Sequence, residues 1–557
     1  MTLLLTSVFG PYGVDDEYGE KENKMELFHN QVTREQGIFS YRFNHGSQGL
    51  YFLADNVDMP TSVLDFPTLK RFKKELKKGY DYIGISFIIP NFKKARKMAQ
   101  AVRELAPKSK IILGGHGVNI PDIESMIDHD FICKGEGVYY LRELFKENVH
   151  KPIKHPLGYS SFNRQVMGAP WAPDSGILIT GVGCVNRCRF CATTHFFNGY
   201  VPYLKTGREI FDVCCRYEEE MHVTDFGVLD ENFLKMKDRV LELLELMERN
   251  HRRFTFAIFS SAETLKEIGD LDILVRLGVN FIWVGVESKN GPYAKNKDTD
   301  FTVLFSELRK RGISVLASSI LFIEEHDKTT IWEDVDYVTS LKPDYVQFSP
   351  LGPIPGTKLY EDYEAQGKVI HNVPYESQHG QGKIWFRHDH FSREESEEFL
   401  RLAFEIDYSR NGASMLRAIR TALGGYGYCR NHPDEAIRGR SEGFKKRLKM
   451  MRYFLTASTV FVQNRQSEIL LKEIKKSFRS QLGGTKPLGL AISLLVLFYG
   501  IKEYLRCRIA GDVRTPKTSY RPLNGARMKG VKPARSPEMA VPLRAGAKPA
   551  SSNVFLR

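Results

Sequence analysis

From about residue 175 to residue 350, short apolar runs alternate with amphipathic segments of helical period, and few folds satisfy that pattern. The runs are 176–180, 223–229, 254–259, 280–286, 313–322 and 344–349, with "KDRVLELLELMERN" and "TVLFSELRKRG" among the helical segments between them. Runs this apolar are buried on both faces, and helical crossovers between them make the strands parallel. Six such units predict a partial (β/α)6 barrel, shorter than the closed eight-unit form, with its chemistry at the carboxyl ends of the strands.

A separate alternation precedes it. "DYIGISFII" (81–89), "KIILGGHG" (110–117) and the start of "DFICKGEGVYYLRELF" (130–145) read as strands, and "MTLLLTSVF" as an earlier one. Between the first two, "NFKKARKMAQAVRELAP" puts Ala95, Met98, Val102 and Leu105 on one helix face. Residues 1–150 are therefore expected to form an amino-terminal doubly wound, Rossmann-like α/β domain. Its strand ends, Ser86, Gly114, Gly115, Gly135, Glu136 and Gly137, are the ligand-facing candidates. A Pro/Gly/Ser-containing linker (151–174) leads into the barrel region (175–390). A helical carboxy-terminal region (391–510) follows, opening at "SREESEEF" with a Ser cap and acids in the first turn.

The net charge of +13 raises nucleic acid as a partner, but its distribution argues against it. Residues 511–557 form a Pro/Gly/Ala-rich segment with ten Lys/Arg against two acids, expected to be a disordered basic tail. No organised basic-aromatic surface accompanies it. Two basic amphipathic segments, "EGFKKRLKMMRYFL" and "EILLKEIKKSFRSQL", precede the uncharged "PLGLAISLLVLFYGI" (487–501). That run is shorter than the ~20 residues that span a bilayer. A buried core helix is expected, with peripheral membrane contact as the alternative. The eight cysteines are not arranged as a secreted disulfide scaffold, and "MTLLLTSVFGPYG" lacks a signal-peptide n-region, so a cytoplasmic protein is expected.

Three of those cysteines, Cys184, Cys188 and Cys191, fall within "GVGCVNRCRFCATTHFF", directly after the first barrel strand. A structural zinc site needs four ligands, and His195 is the nearest histidine that could complete one. A four-iron cluster held by three thiolates instead keeps one iron open to a chelating substrate.

The Cys-x3-Cys-x2-Cys spacing, with Phe190 before the third cysteine, resembles the radical S-adenosylmethionine superfamily. The resemblance implies a 4Fe-4S cluster on Cys184, Cys188 and Cys191, whose open iron takes the amino and carboxylate groups of S-adenosylmethionine. One-electron cleavage, with the electron from an external donor, then yields a 5′-deoxyadenosyl radical. It also implies cofactor contacts from Phe190, from Asp230 and Glu231 in "DFGVLDENFL", and from Glu287 and Ser288 in "FIWVGVESKN". "FSPLGPIPGTKLY" (348–360) resembles the segment after the sixth strand in many members. Spacing singles out no general base.

"YIGISF", "IILGGHG" and "ICKGEGVYYLRELF" resemble the class of that superfamily with a cobalamin-binding domain before the barrel. The Asp-x-His-x-x-Gly signature of a cobalt-ligating His is missing: "FNHGSQG" offers His45 without the Asp. Cobalamin without a lower His ligand is the expectation, and His116 is a further residue that could face the corrin. The resemblance implies methyl transfer to an unactivated carbon, and the basic and apolar carboxy-terminal helices suggest a lipid or polyisoprenoid substrate. The alternatives are radical-initiated coupling, cyclisation or rearrangement without methyl transfer, and a non-enzymatic metal-stabilised ligand sensor.

Overall fold

The two alternations build two parallel sheets. The computed structural model describes residues 1–21, 32–44, 46–159, 162–170, 175–289, 291, 293–484, 487–511 and 515–523. In the first sheet β1 (Leu3–Ser7), β2 (Thr61–Asp65), β3 (Tyr82–Ser86), β4 (Lys110–Gly114) and β5 (Phe131–Ile132) lie in the order β2-β1-β3-β4-β5. Every one of these pairings is parallel. β1 and β2 are buried at every position, as strands covered on both faces must be. Strand order reverses between β1 and β3, where Ser7 and Ser86 are register partners, so the sheet's ligand crevice opens beside them.

α1 (Phe92–Leu105) buries Ala95, Met98 and Val102 on this sheet; Leu105, its last residue, projects to solvent instead. α2 (Gly137–Leu144) starts at the end of the "ICKGEG" turn.

In the second sheet β6 (Gly176–Leu178), β7 (Asp225–Val228), β8 (Thr255–Ser260), β9 (Val279–Glu287), β10 (Ser314–Leu321) and β11 (Tyr345–Pro350) are neighbours in chain order, all parallel. β6 and β11 do not pair with each other, so the barrel is the open (β/α)6 form. α3 (Ala192–Phe196) follows the cysteine loop. The first long barrel helix, Gly207–Met221, begins with a reciprocal cap between Thr206 and Glu209 that fixes where strand-end loop gives way to helix.

The segment read as a linker is partly structured. Phe162–Val166 pairs antiparallel with Ala169–Pro170 and with Arg42–Asn44 of the amino-terminal region. Residues 160, 161 and 171–174 of it lie outside the described residues.

The carboxy-terminal helices are α4 (Arg393–Asn411), α5 (Ser414–Arg430), α6 (Glu435–Phe461), α7 (Arg465–Leu482) and α8 (Pro487–Ala510). α5 and α8 both pack on α6. α8 corrects the expectation of a buried core helix. Leu490, Leu494, Phe498, Ile501 and Leu505 are exposed along one side of it, while Ser493, Val496 and Glu503 face inward. An uncharged run does not reveal how many of its faces a protein covers, and here α6 covers one. No described helix is long and apolar enough to cross a membrane.

The expected tail also begins too early. β12 (Ser519–Arg521) pairs antiparallel with β2 as an edge strand, register Tyr520 to Leu64. Residues 524–557 lie outside the described residues.

Candidate active site

Cys184, Cys188 and Cys191 sit on the loop between the Gly181–Gly183 strand and α3. Gly181–Gly183 pairs antiparallel with Tyr200–Pro202 and draws the two ends of the loop together. The Cys184 N–H donates to the Gly199 carbonyl (3.0 Å), the Cys191 N–H to the Cys188 carbonyl (3.0 Å), and the Thr194 hydroxyl to the Cys184 carbonyl (2.7 Å). Gly183 has φ +82°, and a Cβ there would lie 1.8 Å from the Gly199 carbonyl oxygen, so only glycine lets this hairpin close.

All three thiols are half-buried. Burial raises each above the ordinary thiol range, Cys191 to about 11, so a metal must displace their protons. Among the described residues no three His, Cys, Asp or Glu side chains stand close enough to hold a single ion, His195 included. Three thiols spread over one loop suit the corners of an iron–sulfur cluster better than one tetrahedral zinc.

Two carboxylates follow β7 and behave oppositely. Asp230 is 4% exposed; its Oδ2 accepts from Thr180 Oγ1 (2.6 Å), the Tyr200 hydroxyl (2.8 Å) and Arg239 (2.9 Å), and its Oδ1 from the Asn232 N–H (3.1 Å). Oδ2 is fully engaged by three donors and Oδ1 by one, so Asp230 fixes the loop. Glu231 is exposed to solvent although protein crowds around it. That crowding, then the Asp230 charge, push its carboxyl up to about 7. Its own charge in turn raises Cys184 and Cys191, which places it beside the cysteines.

Glu287 ends β9 at φ +61°, buried, with its carboxylate on the Lys295 ammonium. Ser288 is also buried, and its hydroxyl accepts the Gly291 N–H (3.1 Å). A Cβ at Gly285 would lie 2.2 Å from Glu287 Oε1 and 2.9 Å from Lys295 Nζ, so the glycine two residues before Glu287 makes room for the ion pair. Lys295 lies over the Phe190 ring (5.9 Å), and Tyr293 meets the same ring edge-on (5.6 Å). The sequence reading missed both Lys295 and Tyr293; a cation eight residues beyond a strand-end acid has no motif to flag it.

Cys188, Phe190, Tyr293, Lys295 and Glu263 line a cavity of about 390 Å³ beside the cysteine loop. That is within the usual range for a small-ligand site. A larger cavity, about 660 Å³, lies at the opposite end of the barrel, against Thr255 and Val279 and the basic side of α6, and contains none of these residues.

The turns of the first sheet close over the cysteine loop. The His116 ring lies 4.4 Å from that of Phe196 on α3, and the nearest group to a Cβ at Gly135 would be the Phe196 carbonyl (3.3 Å). Gly356 has φ +87°, and a Cβ there would lie 2.5 Å from Asn119 Nδ2, while the Leu359 N–H donates to the Arg189 carbonyl (2.9 Å). "PIPGTKL" thus ties the barrel mouth to both the cysteine loop and the turn after β4.

The glycine candidates divide. Gly115 and Gly117 are required by the protein itself, since a Cβ at either would strike Phe87, at 2.5 and 2.3 Å. At Gly137 it would meet Leu53 (2.9 Å). Gly114 and Gly135 are less confined, with nothing nearer than 3.9 and 3.3 Å. Glu136 caps α2, accepting the Val138 and Tyr139 N–H groups, and takes the Tyr203 hydroxyl across the seam. Ser86 is half-buried at the end of β3. His116 Nδ1 is buried without a hydrogen-bond partner, and burial lowers its ring to about 4, so the imidazole is neutral. An orphaned neutral nitrogen beside open strand ends fits an uncharged corrin face or amide edge. His45 lies outside the described residues.

No family model matches the chain. It is 25% identical over 326 residues to the bacteriochlorophyllide d C-8(2)-methyltransferase of Chlorobaculum tepidum, covering 52% of this chain and 70% of that one. To an uncharacterised methyltransferase of Pyrococcus horikoshii it is 20% identical over 366 residues, covering 59% and 79%. Among solved structures it matches OxsB, a cobalamin-dependent S-adenosylmethionine radical enzyme, with a TM-score of 0.52 and 13% identity over 91% of this chain and 80% of that one. The chain thus shares its fold with a cobalamin-dependent S-adenosylmethionine radical enzyme and is similar in sequence to methyltransferases.

Proposed function

We propose that this protein is a cobalamin-dependent radical S-adenosylmethionine methyltransferase acting on an unactivated carbon. One observation carries the reading: the strand-end turns that suit a corrin and the three-cysteine loop face each other across a single seam, His116 against Phe196. Methyl transfer needs a methyl donor and a radical generator within reach of one substrate atom, and a shared seam supplies that proximity.

When bound, the cluster and cobalamin would supply the electron for S-adenosylmethionine cleavage and the methyl carrier, respectively. The chain's own residues position and shield. Cys184, Cys188 and Cys191 hold the cluster. Glu231, a carboxyl beside the cysteines with no hydrogen-bonding duty of its own among the described residues, takes the cofactor ammonium. Phe190, Tyr293 and the Glu287–Lys295 pair wall the adjoining cavity, with Ser288 bracing the turn behind Glu287. Electrons come from an external one-electron donor. The substrate is a lipid or polyisoprenoid; the outward apolar face of α8 supports an enzyme that works where such molecules are.

Anaerobically reconstituted protein should convert S-adenosylmethionine to both 5′-deoxyadenosine and S-adenosylhomocysteine. Formation of 5′-deoxyadenosine alone would move the reading to a radical rearrangement. A Cys188→Ala protein that still released 5′-deoxyadenosine would overturn the cluster assignment.

A further inference from the structure

Fifteen large apolar side chains are exposed among the described residues, and seven of them lie on α8. Placed at about 100° per residue, Leu490, Leu494, Phe498, Ile501, Leu505 and Ile509 fall in one sector roughly 100° wide, with Leu495 just beyond it. Phe498 is 63% exposed and Ile509 86%. Isolated surface leucines need no explanation, but a continuous stripe along a 24-residue helix does.

The charges on α8 sort with equal clarity. Its one acid, Glu503, is buried on the inward side and paired with Arg506 (3.0 Å). Lys502 and Arg508 are exposed at the two margins of the apolar sector. The inward side is closed by α6, where a Cβ at Gly500 would lie 2.7 Å from the Phe461 ring, and by Gly168, where one would meet Glu503 at 2.5 Å. So Val496, Leu497, Tyr499 and Tyr504 join Ser493, Gly500 and Glu503 in holding the helix to the body, and seven further large apolar side chains are still offered outward, more than a globular helix with one covered face ordinarily exposes.

We infer that the outward face of α8 lies in the interface of an anionic lipid bilayer, with Lys502 and Arg508 reaching the headgroups on either side. Apolar residues inward to the acyl chains and cations at the margins is the pattern of an in-plane interfacial helix, and long cationic side chains at such margins keep their charge in water. Two other occupants fit less well. A second copy pairing through this face would desolvate Lys502 and Arg508 with no acid on that face to meet them. The chain's own residues 524–557 carry seven Lys/Arg against the single acid Glu538, so they repel these cations and add to the attraction for an anionic surface. The inference goes beyond the catalytic reading and does not depend on it.

The experiment is flotation of the full-length protein with phosphatidylcholine vesicles, with and without phosphatidylglycerol, and no cofactor is needed. The protein should float with the anionic vesicles and much less with neutral ones. Leu494→Glu/Phe498→Glu should lower the floated fraction by roughly tenfold, and Lys502→Glu/Arg508→Glu should remove the preference for phosphatidylglycerol. Circular dichroism melts check that both variants fold, as exposed positions allow. Failure of the wild type to float on anionic vesicles would overturn the inference, as would wild-type flotation of the Leu494→Glu/Phe498→Glu variant. Light scattering without vesicles supplies the other decisive outcome. A dimer abolished by that variant would make the face a contact between copies.

Discussion

Arg239 and Asp230 form an ion pair of 2.9 Å in which each side chain is 2% exposed, and the next residue along from Asp230 is the exposed Glu231. Adjacent acids therefore have separate tasks. Removing one partner of a buried pair strands the other charge, so Arg239→Leu should destabilise the protein by about 3–5 kcal/mol. Glu231→Gln should leave the denaturation midpoint nearly unchanged and raise the KM for S-adenosylmethionine roughly tenfold, the loss of one charge-assisted contact. Denaturant melts and cleavage kinetics on both variants separate the roles; a large midpoint shift in Glu231→Gln would refute the division.

The His116 ring packs on Phe196 while its Nδ1 has no partner, so packing and polarity can be tested apart. His116→Phe keeps an aromatic ring and removes the unsatisfied nitrogen. Without cofactor it should be more stable than the wild type by about 1 kcal/mol. If the nitrogen meets cobalamin, the same variant should retain less of it after gel filtration, read from the visible spectrum. Equal retention would make His116 a packing residue only.

The strand pattern of both sheets was legible because uniformly apolar runs have one solution: 279–287 and 345–350 lie within a residue or so of the segments read from sequence. β2 was missed because "TSVLD" begins and ends on polar residues. The three cysteines could be read because spacing along one loop is local information. Lys295 could not, since its importance arises only when the chain after β9 folds back onto Glu287 and Phe190. Nor could the division of the glycines: that Gly115 and Gly117 make way for Phe87 depends on a contact between two loops. The outward face of α8 has the same origin, for exposure is decided by what packs elsewhere.

His155 is 2% exposed and its Nε2 accepts the Ile179 N–H (2.9 Å), which only the neutral ring can do. Burial lowers it to about 4, against about 6.5 in an unfolded chain. The folded state therefore binds its proton less readily than the unfolded one. The stability this represents is complete above pH 6.5 and is lost as pH falls toward 4, by at most about 3 kcal/mol. Urea midpoints across that interval should fall with acidification in the wild type. In His155→Gln, which can still accept from Ile179 but does not titrate, the slope should be shallower. A slope identical to the wild type's would assign the acid sensitivity to other groups.

Gly356 and Asn119 test whether the seam between sheet and barrel is a mechanical unit. At φ +87° an alanine is strained on its own, by about 1–2 kcal/mol, and its Cβ would also lie 2.5 Å from Asn119 Nδ2. Gly356→Ala should thus destabilise by about 2–3 kcal/mol, part backbone strain and part steric. Asn119→Ala should remove the steric part, so the double variant should be more stable than the sum of the two singles predicts, by about 1 kcal/mol. If the seam positions the cysteine loop against the strand ends, Gly356→Ala should also lower the ratio of S-adenosylhomocysteine to 5′-deoxyadenosine, with the double variant recovering it. Cleavage to 5′-deoxyadenosine alone should be little changed, because that step lies within the barrel. Additive stabilities together with an unchanged product ratio would show that the two halves meet there without depending on each other.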